Sequence, residues 1–475
     1  MPQRREIYLL DPKILSPETI AVTFAKTSRS AQTFREIAAE LTDEKSADFH
    51  EKWVVGYGHS SVAEHAVLHI AVENLSRLAV ECLESNRLAA YTEKSSRYQV
   101  WDEDHFYIPP ELSGHPLESE YVEVNTMLFK HYQQAVRAVT EYLKVNQPQK
   151  EKESDRGYEQ RIRTCCADVC RFYLPASALA NVGMSINARS LEHALSKMLS
   201  HNLAEVREIG QEIKQVAQAN VPTLVKYADE NDYLKNLNQK YSQTRLDPSK
   251  DTGHNRNWFT YIGSTENGEE KVLAALYHRF GQASYEHCLD AVSALSFEEK
   301  QRMAADLLGT LSEFDIPARE LEYAHISLDV VLDQGAYFEL KRHRMMTQTP
   351  QRLTTHLDYA VPSLLEKAGL SEQFKADMEK VELAYGKISQ FNAHVAAYII
   401  SNAFNRRVLL QMNLRSALHF IKLRSAPNAH FSMRRLALRL AEELRDRFPL
   451  FSPHFLLGSY ETWQSISGEH FSRLQ

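Results

Sequence analysis

The tetrapeptide pattern Asn-x-Arg-Ser occurs twice, as Asn187-Ala188-Arg189-Ser190 and as Asn413-Leu414-Arg415-Ser416. Each copy opens a run whose apolar residues keep helical spacing. Asn187 lies 35 positions before Pro222 and Asn413 lies 36 before Pro449, while Glu64 precedes Arg87 by 23 and Glu322 precedes Arg344 by 22. Two independent spacings that agree this closely identify an internal duplication, so the chain must be one fold used twice. The division that follows is a first repeat over 1–234, a polar linker over 235–262 and a second repeat over 263–475.

Within each repeat the patterning is alike. Residues 66–73 and 325–332 alternate apolar and polar side chains, which predicts half-buried strands. Residues 33–55 and 75–88 read as helical, and residues 19–24 fit either a strand or a helical turn. A charged stretch, 144–161, precedes a helical block that ends at Leu174-Pro175. After each Asn-x-Arg-Ser, one long helix is expected to run toward the proline.

Composition limits what such a chain can bind. A formal net charge of -7 gives no general attraction to nucleic acid or to a membrane surface, so any anion site must be a local cluster of Arg and His. No window approaches an uncharged span of membrane length, and nothing at the amino terminus resembles a signal peptide, so a cytoplasmic protein is expected. The five cysteines lack paired spacing and nearby histidines, which argues against a disulfide framework or a zinc site and for buried thiols.

Several residues are candidates for chemistry. Arg342-His343-Arg344 leaves the apolar run Tyr337-Phe338-Glu339-Leu340-Lys341 as three basic side chains, able to clamp an anion or to make surface ion pairs. Glu93-Lys94-Ser95-Ser96-Arg97-Tyr98 joins hydroxyls and a guanidinium in one short loop, suited to a phosphate or to a plain serine-rich turn. The corresponding stretches differ: Ser85-Asn86-Arg87 stands where the other repeat has Arg342-His343-Arg344, and Pro350-Gln351-Arg352-Leu353-Thr354-Thr355 stands for the Glu93 loop. Asn187 and Asn413 can cap a helix or, with Arg189 and Arg415, meet a ligand. His193 and His419 are equivalent, and Met198 in the first repeat corresponds to Arg424 in the second. An Arg on the inner face of an apolar helix is costly unless it is paired or meets an anion.

Together these residues resemble the flavin-dependent thymidylate synthase family, ThyX, whose signature is Arg-His-Arg followed by a Glu-x-Ser-x-Arg loop. The resemblance also covers Gly58-His59-Ser60-Ser61-Val62-Ala63-Glu64-His65, Arg171 before Leu174-Pro175, Asn187-Ala188-Arg189-Ser190-Leu191, and His419-Phe420-Ile421-Lys422-Leu423-Arg424. It implies an α+β fold in two tandem repeats, each a mostly antiparallel sheet flanked by long helices. It implies conversion of dUMP to dTMP with FAD as cofactor and NADPH and methylenetetrahydrofolate as co-substrates. By the family's roles, Arg342, His343 and Arg344 hold FAD, with Asn413, Arg415 and His419 beside it and His59 and Ser61 contacting it from a neighbouring repeat. Glu93, Ser95, Ser96, Arg97, Tyr98, Arg171 and Arg342 hold dUMP, and Arg424 polarises the uracil.

Neither repeat is complete, since Ser85-Asn86, Val62 and Met198 depart in the first, and Pro350, Arg352, Thr354 and Thr355 in the second. Glu339 stands where the family often has Gln, and a carboxylate there repels a phosphate unless it is protonated or turned away. Arg171 corresponds to Ala397 in the second repeat. Because each repeat keeps what the other lacks, a hybrid site is expected, in a homodimer that forms a pseudo-tetramer with two working and two silent sites. Two alternatives remain: a non-catalytic flavin- or nucleotide-binding paralogue, and a flavoenzyme acting on a different pyrimidine nucleotide.

Overall fold

A computed structural model describes residues 6, 8–27, 30–55, 60–97, 99–102, 105–242 and 257–474. The chain forms two compact units. The first comprises Met1–Lys94, Phe106–Glu118 and Ala178–Leu246; the second comprises Ser95–His105, Ser119–Ser177 and Asp247–Gln475. The second unit therefore contains the whole second repeat together with two segments of the first.

In the first unit, strands β1 (Val67–Ser76), β2 (Ala89–Glu93) and β3 (Leu179–Asn187) form an antiparallel sheet in the order β1-β3-β2. Alternation sets its faces: Leu68 and Ile70 are buried, while Val67 and His69 are exposed. The register of β1 against β3 shifts between Val72 and Leu75, where Asn74 takes a left-handed conformation at φ 58° and donates its N–H to Asn181 Oδ1. Ser76 caps the helix Arg77–Leu83, and Asn187 caps the helix Ala188–Leu199 by accepting from Ser190 N at 2.9 Å.

The second unit repeats this plan with an added strand. Strands β4 (Phe259–Ser264), β5 (His325–Asp333), β6 (Thr347–Pro350) and β8 (Asn405–Asn413) form an antiparallel sheet in the order β4-β5-β8-β6. A small pair, β7 (Val361–Pro362) with β9 (Phe471–Arg473), lies apart from it. His325 is paired with Asn413 as Val67 is paired with Asn187, so the duplication extends to the register. Asp333 caps the helix Gln334–Leu340, and Asn413 caps the helix Leu414–Arg424. The inner face of the sheet, with Ile326, Leu328, Val330, Val408, Leu410 and Met412, packs on Phe420, Met433, Leu436 and Leu440.

The two equivalent segments 171–177 and 397–403 also pair here. Ala176 and Ser177 donate to the carbonyls of Ile400 and Tyr398, and Asn402 and Ala403 donate to those of Leu174 and Phe172. This pairing, with Asn402 Nδ2 bound to the Arg171 carbonyl at 2.9 Å, fixes Arg171 within the second unit.

Some expectations change. Each long helix is broken into two, Ala188–Leu199 with Ala204–Gln218, and Leu414–Arg424 with Phe431–Arg447. In the second case Pro427 has no N–H to continue the ladder, and His430 instead accepts from Ser432 N through its own ring to start the next helix. The helix expected over 75–88 is only Arg77–Leu83, because Leu75 and Ser76 complete β1. Residues 19–24 belong to the helix Pro17–Thr27. Of the expected linker, residues 235–242 fall in the helix Asp232–Ser242 and 259–262 in β4, while 243–256 lie outside the described residues. No helix among the described residues is long and apolar enough to cross a membrane, and none of the five cysteines is disulfide-bonded.

Candidate active site

After Leu340 the chain leaves its helix in a tight turn, His343 N donating to the Leu340 carbonyl at 3.0 Å. Gln348 Nε2 then ties down the carbonyls of Leu340 and His343 at 3.1 and 3.0 Å, fixing the basic triplet as it emerges. The helix Leu414–Arg424 ends beside it. Between them is a cavity of about 480 Å³, lined by Arg342, His343, Arg344, Asn413, Arg415, His419 and Arg424. Leu308, Leu311, Ile316, Met345, Met346, Leu418 and Leu423 supply its apolar wall. That volume lies within the ~300–1,000 Å³ of small-molecule sites.

Arg424 is the hinge of the site's electrostatics. Its Nε donates to His343 Nε2 at 2.9 Å, its Nη1 to Glu339 Oε2 at 3.0 Å, and its Nη2 to the Glu339 carbonyl at 3.2 Å. Three of five guanidinium N–H groups are thus used, leaving two. His343 must accept at Nε2, so its proton sits on Nδ1. Burial, then the nearby charges of Arg424 and His419, push its pKa down to about 3, keeping the ring neutral. Phe420 packs edge-on to that ring at 4.8 Å between centroids.

Behind Arg424 lies an arginine cluster. Arg171 Nη1 donates to Glu339 Oε1 at 3.0 Å, and Arg97 holds Asp168 with Nε and Nη2 at 2.5 and 2.8 Å. Burial opposes the charge on Glu339, but Arg171, Arg97 and Arg424 outweigh it and hold the carboxyl below its usual range. Glu339 is therefore neither protonated nor turned away from the arginines.

The structure brings Arg97 and Arg171 of the first repeat into the same unit as Arg342, His343, Arg344 and Arg424 of the second. Ser95 and Ser96 belong to that unit too, with Ser95 Oγ accepting from Arg97 N at 3.2 Å and Ser96 buried. Glu93 belongs to the first unit, where its carboxylate is committed to a buried ion pair with Arg77 at 3.2 Å. Ser61 is exposed in a helical turn over Ser60–His65. His59 and Tyr98 lie outside the described residues.

Asn413 lines the cavity and also caps its helix, Ser416 N donating to Oδ1 at 2.8 Å. Arg415 is taken up by Glu322 at 2.6 Å and the Pro317 carbonyl at 2.9 Å. The same pair recurs in the first unit as Arg189 with Glu64, which marks it as a structural tie of the fold. In that unit, Lys197 donates to Ser85 Oγ and Asn86 Oδ1 at 2.5 and 2.8 Å, so the counterpart of the Arg-His-Arg stretch is held by protein groups. Sequence reasoning overlooked Asp168 and Glu322 as partners. Glu322 had a signal, because it is offset from Arg344 as Glu64 is from Arg87; Asp168 in a charged helix had none.

The donor set fits the flavin that the resemblance implies. Cationic groups at Arg342 and Arg344 suit a diphosphate, a neutral imidazole offers one N–H, and a Leu- and Met-rich wall suits a flat aromatic ring. The family described as thymidylate synthase complementing protein matches the chain twice, over residues 11–223 and 262–450. Among similar proteins, a UPF0159 protein of Chlamydia muridarum is 29% identical over 434 residues, covering 87% of this chain and 81% of its own length. A UPF0159 protein of Thermoplasma acidophilum is 26% identical over 441 residues, covering 86% of this chain and 88% of its own. A flavin-dependent thymidylate synthase of Clostridium tetani is 25% identical over 215 residues, covering 45% of this chain and 82% of its own. With two matched regions, one sheet plan used twice and the Arg-His-Arg cavity in the second copy, the chain belongs to the thymidylate synthase complementing protein family, that of the flavin-dependent thymidylate synthases, as a tandem-duplicated member.

Proposed function

We propose that the chain converts dUMP to dTMP in a flavin-dependent reaction, with methylenetetrahydrofolate as one-carbon donor and NADPH as reductant, at the cavity of the second unit. The observation that carries this reading is the contact of Arg424 with His343 on the cavity wall, where one repeat's catalytic helix meets the basic triplet. FAD, when bound, supplies the hydride chemistry, so no cysteine nucleophile is needed.

The protein's part is positioning and electrostatics. Arg342 and Arg344 bind the phosphates of FAD, and the neutral His343 offers its Nδ1–H. Asn413 and His419 border the same space. The two N–H groups that Arg424 keeps free polarise a carbonyl oxygen of the uracil and favour ionisation of its ring. Ser95, Ser96, Arg97 and Arg171 hold the nucleotide. Two chains paired as a homodimer, giving a pseudo-tetramer, belong to the same reading.

Rescue of a thymidine auxotroph, with the visible spectrum of the purified protein read in parallel, tests it. Wild type is expected to carry flavin and to rescue, while Arg424→Ala carries flavin and does not. Rescue by Arg424→Ala equal to wild type sinks the assignment of Arg424, and flavin binding without any dTMP formation selects a second reading, a flavin-binding paralogue without turnover. That second reading is favoured by Glu339, which occupies two of the arginines meant for the nucleotide.

A further inference from the structure

Arg171 and Arg424 meet on a single carboxylate. Glu339 Oε1 accepts from Arg171 and Oε2 from Arg424, both at 3.0 Å. One oxygen for each guanidinium is how two arginines hold an anionic ligand, yet here the anion belongs to the chain. It is fixed in place, since Glu339 sits in the buried helix Gln334–Leu340 and is only 6% exposed.

The surrounding charges leave little for a second anion. Arg97 is already matched by Asp168, and the buried Asp333 adds a third carboxylate close enough for its charge to act on Arg171 and Glu339. The bridge is nevertheless incomplete as a purely structural tie. Arg171 is 2% exposed, and its Nε and Nη2 find no hydrogen-bond partner among the described residues. Buried donors of a charged group are seldom left so.

We propose that Glu339 is an internal anion that occupies the arginine cradle and competes with the acidic group of a ligand, so that it sets the charge selectivity of the site. The phosphate of a pyrimidine nucleotide must compete with it for the arginines, whereas a neutral nucleoside does not contend with it. The identity of the ligand rests on the function proposed above; the competition itself does not.

Titration calorimetry on the full-length protein tests this with inorganic phosphate first, then with dUMP and deoxyuridine. Glu339→Gln removes the charge at nearly constant shape. Glu339→Asp keeps the charge but is one methylene too short to span both guanidinium groups. Relative to wild type, Glu339→Gln is expected to bind phosphate and dUMP about tenfold more tightly, with deoxyuridine changed less than about twofold. Glu339→Asp should show a smaller gain of the same kind. Equal phosphate affinity in wild type and both variants overturns the proposal, as does an equal gain for dUMP and deoxyuridine. If Glu339→Gln fails to fold, the absence of any phosphate gain in Glu339→Asp has the same effect. A phosphate gain with no dUMP binding in any form leaves the internal anion standing and removes the dTMP reading instead.

Discussion

At His343 a single ring couples the site to pH. The unfolded chain protonates this residue near the ordinary value of 6.5, whereas the native ring resists until about 3. The unfolded state therefore binds more protons across that window, and native stability falls as the pH drops from 6.5 toward 3. The slope from this one group approaches 1.4 kcal/mol per pH unit. His343→Gln places an amide oxygen where Nε2 accepts from Arg424 Nε but does not titrate. Urea unfolding between pH 7 and pH 4 should show wild type losing more stability than the variant; parallel curves would sink the assignment. None of this was legible in the sequence, where His343 read only as one of three basic side chains. Its neutrality comes from burial and from Arg424, which is 81 positions away. Glu339 was noticed as out of place beside a phosphate, but that one carboxylate spans Arg171 and Arg424 depends on folding that joins distant segments.

Among the elements, caps and alternation were readable because they are local. Asn187 and Asn413 both cap, as their place before an apolar helical run suggested. Asn413→Ala should destabilise the protein by about 1 kcal/mol, while Asn413→Ser keeps the cap and most of the stability. Flavin affinity measured on the serine variant then separates capping from ligand contact: loss of flavin with retained stability means that the amide touches the cofactor. Helix crossings were not readable. A Cβ on Gly210, in the helix Ala204–Gln218, would meet Met198 Cβ at 2.9 Å and Leu199 N at 3.6 Å. Neither can swing away as a flexible tip would, so Gly210→Ala should cost about 1–3 kcal/mol. Gly386, in the helix Ser371–Phe391, has nothing within 4 Å of such a Cβ. Gly386→Ala should instead stabilise by about 0.5–1 kcal/mol through lower chain entropy and better helix propensity. Thermal unfolding of the two variants should move in opposite directions, and a common direction would show the helix crossing at Gly210 to be looser than described.

For the molecule as a whole, duplication was plain in the sequence but the compact units were not, because they follow contacts rather than chain order. The second unit takes Ser95–His105 and Ser119–Ser177 from the first repeat. Those segments supply Arg97, Asp168 and Arg171, and they supply backbone partners for Tyr398, Ile400, Asn402 and Ala403. A fragment beginning at 257 would keep the four-stranded sheet yet lose all of these. Tyr398, Ile399, Ile400 and Phe404, each at most 1% exposed, depend on such neighbours for burial, and Glu339 would lose one of its two arginines. Removing one partner of a buried ion pair alone costs about 3–5 kcal/mol, a large part of the ~5–15 kcal/mol that a domain has. The fragment 257–475 should therefore lack a cooperative transition and fixed aromatic packing. When it is co-expressed with a fragment carrying 1–242, both properties should return, since the borrowed segments Ser95–His105 and Ser119–Ser177 are then present. Near-ultraviolet circular dichroism and calorimetry read both states. A fragment 257–475 that melts cooperatively by itself would mean that the second repeat is self-sufficient and that the borrowed arginines are dispensable to its fold.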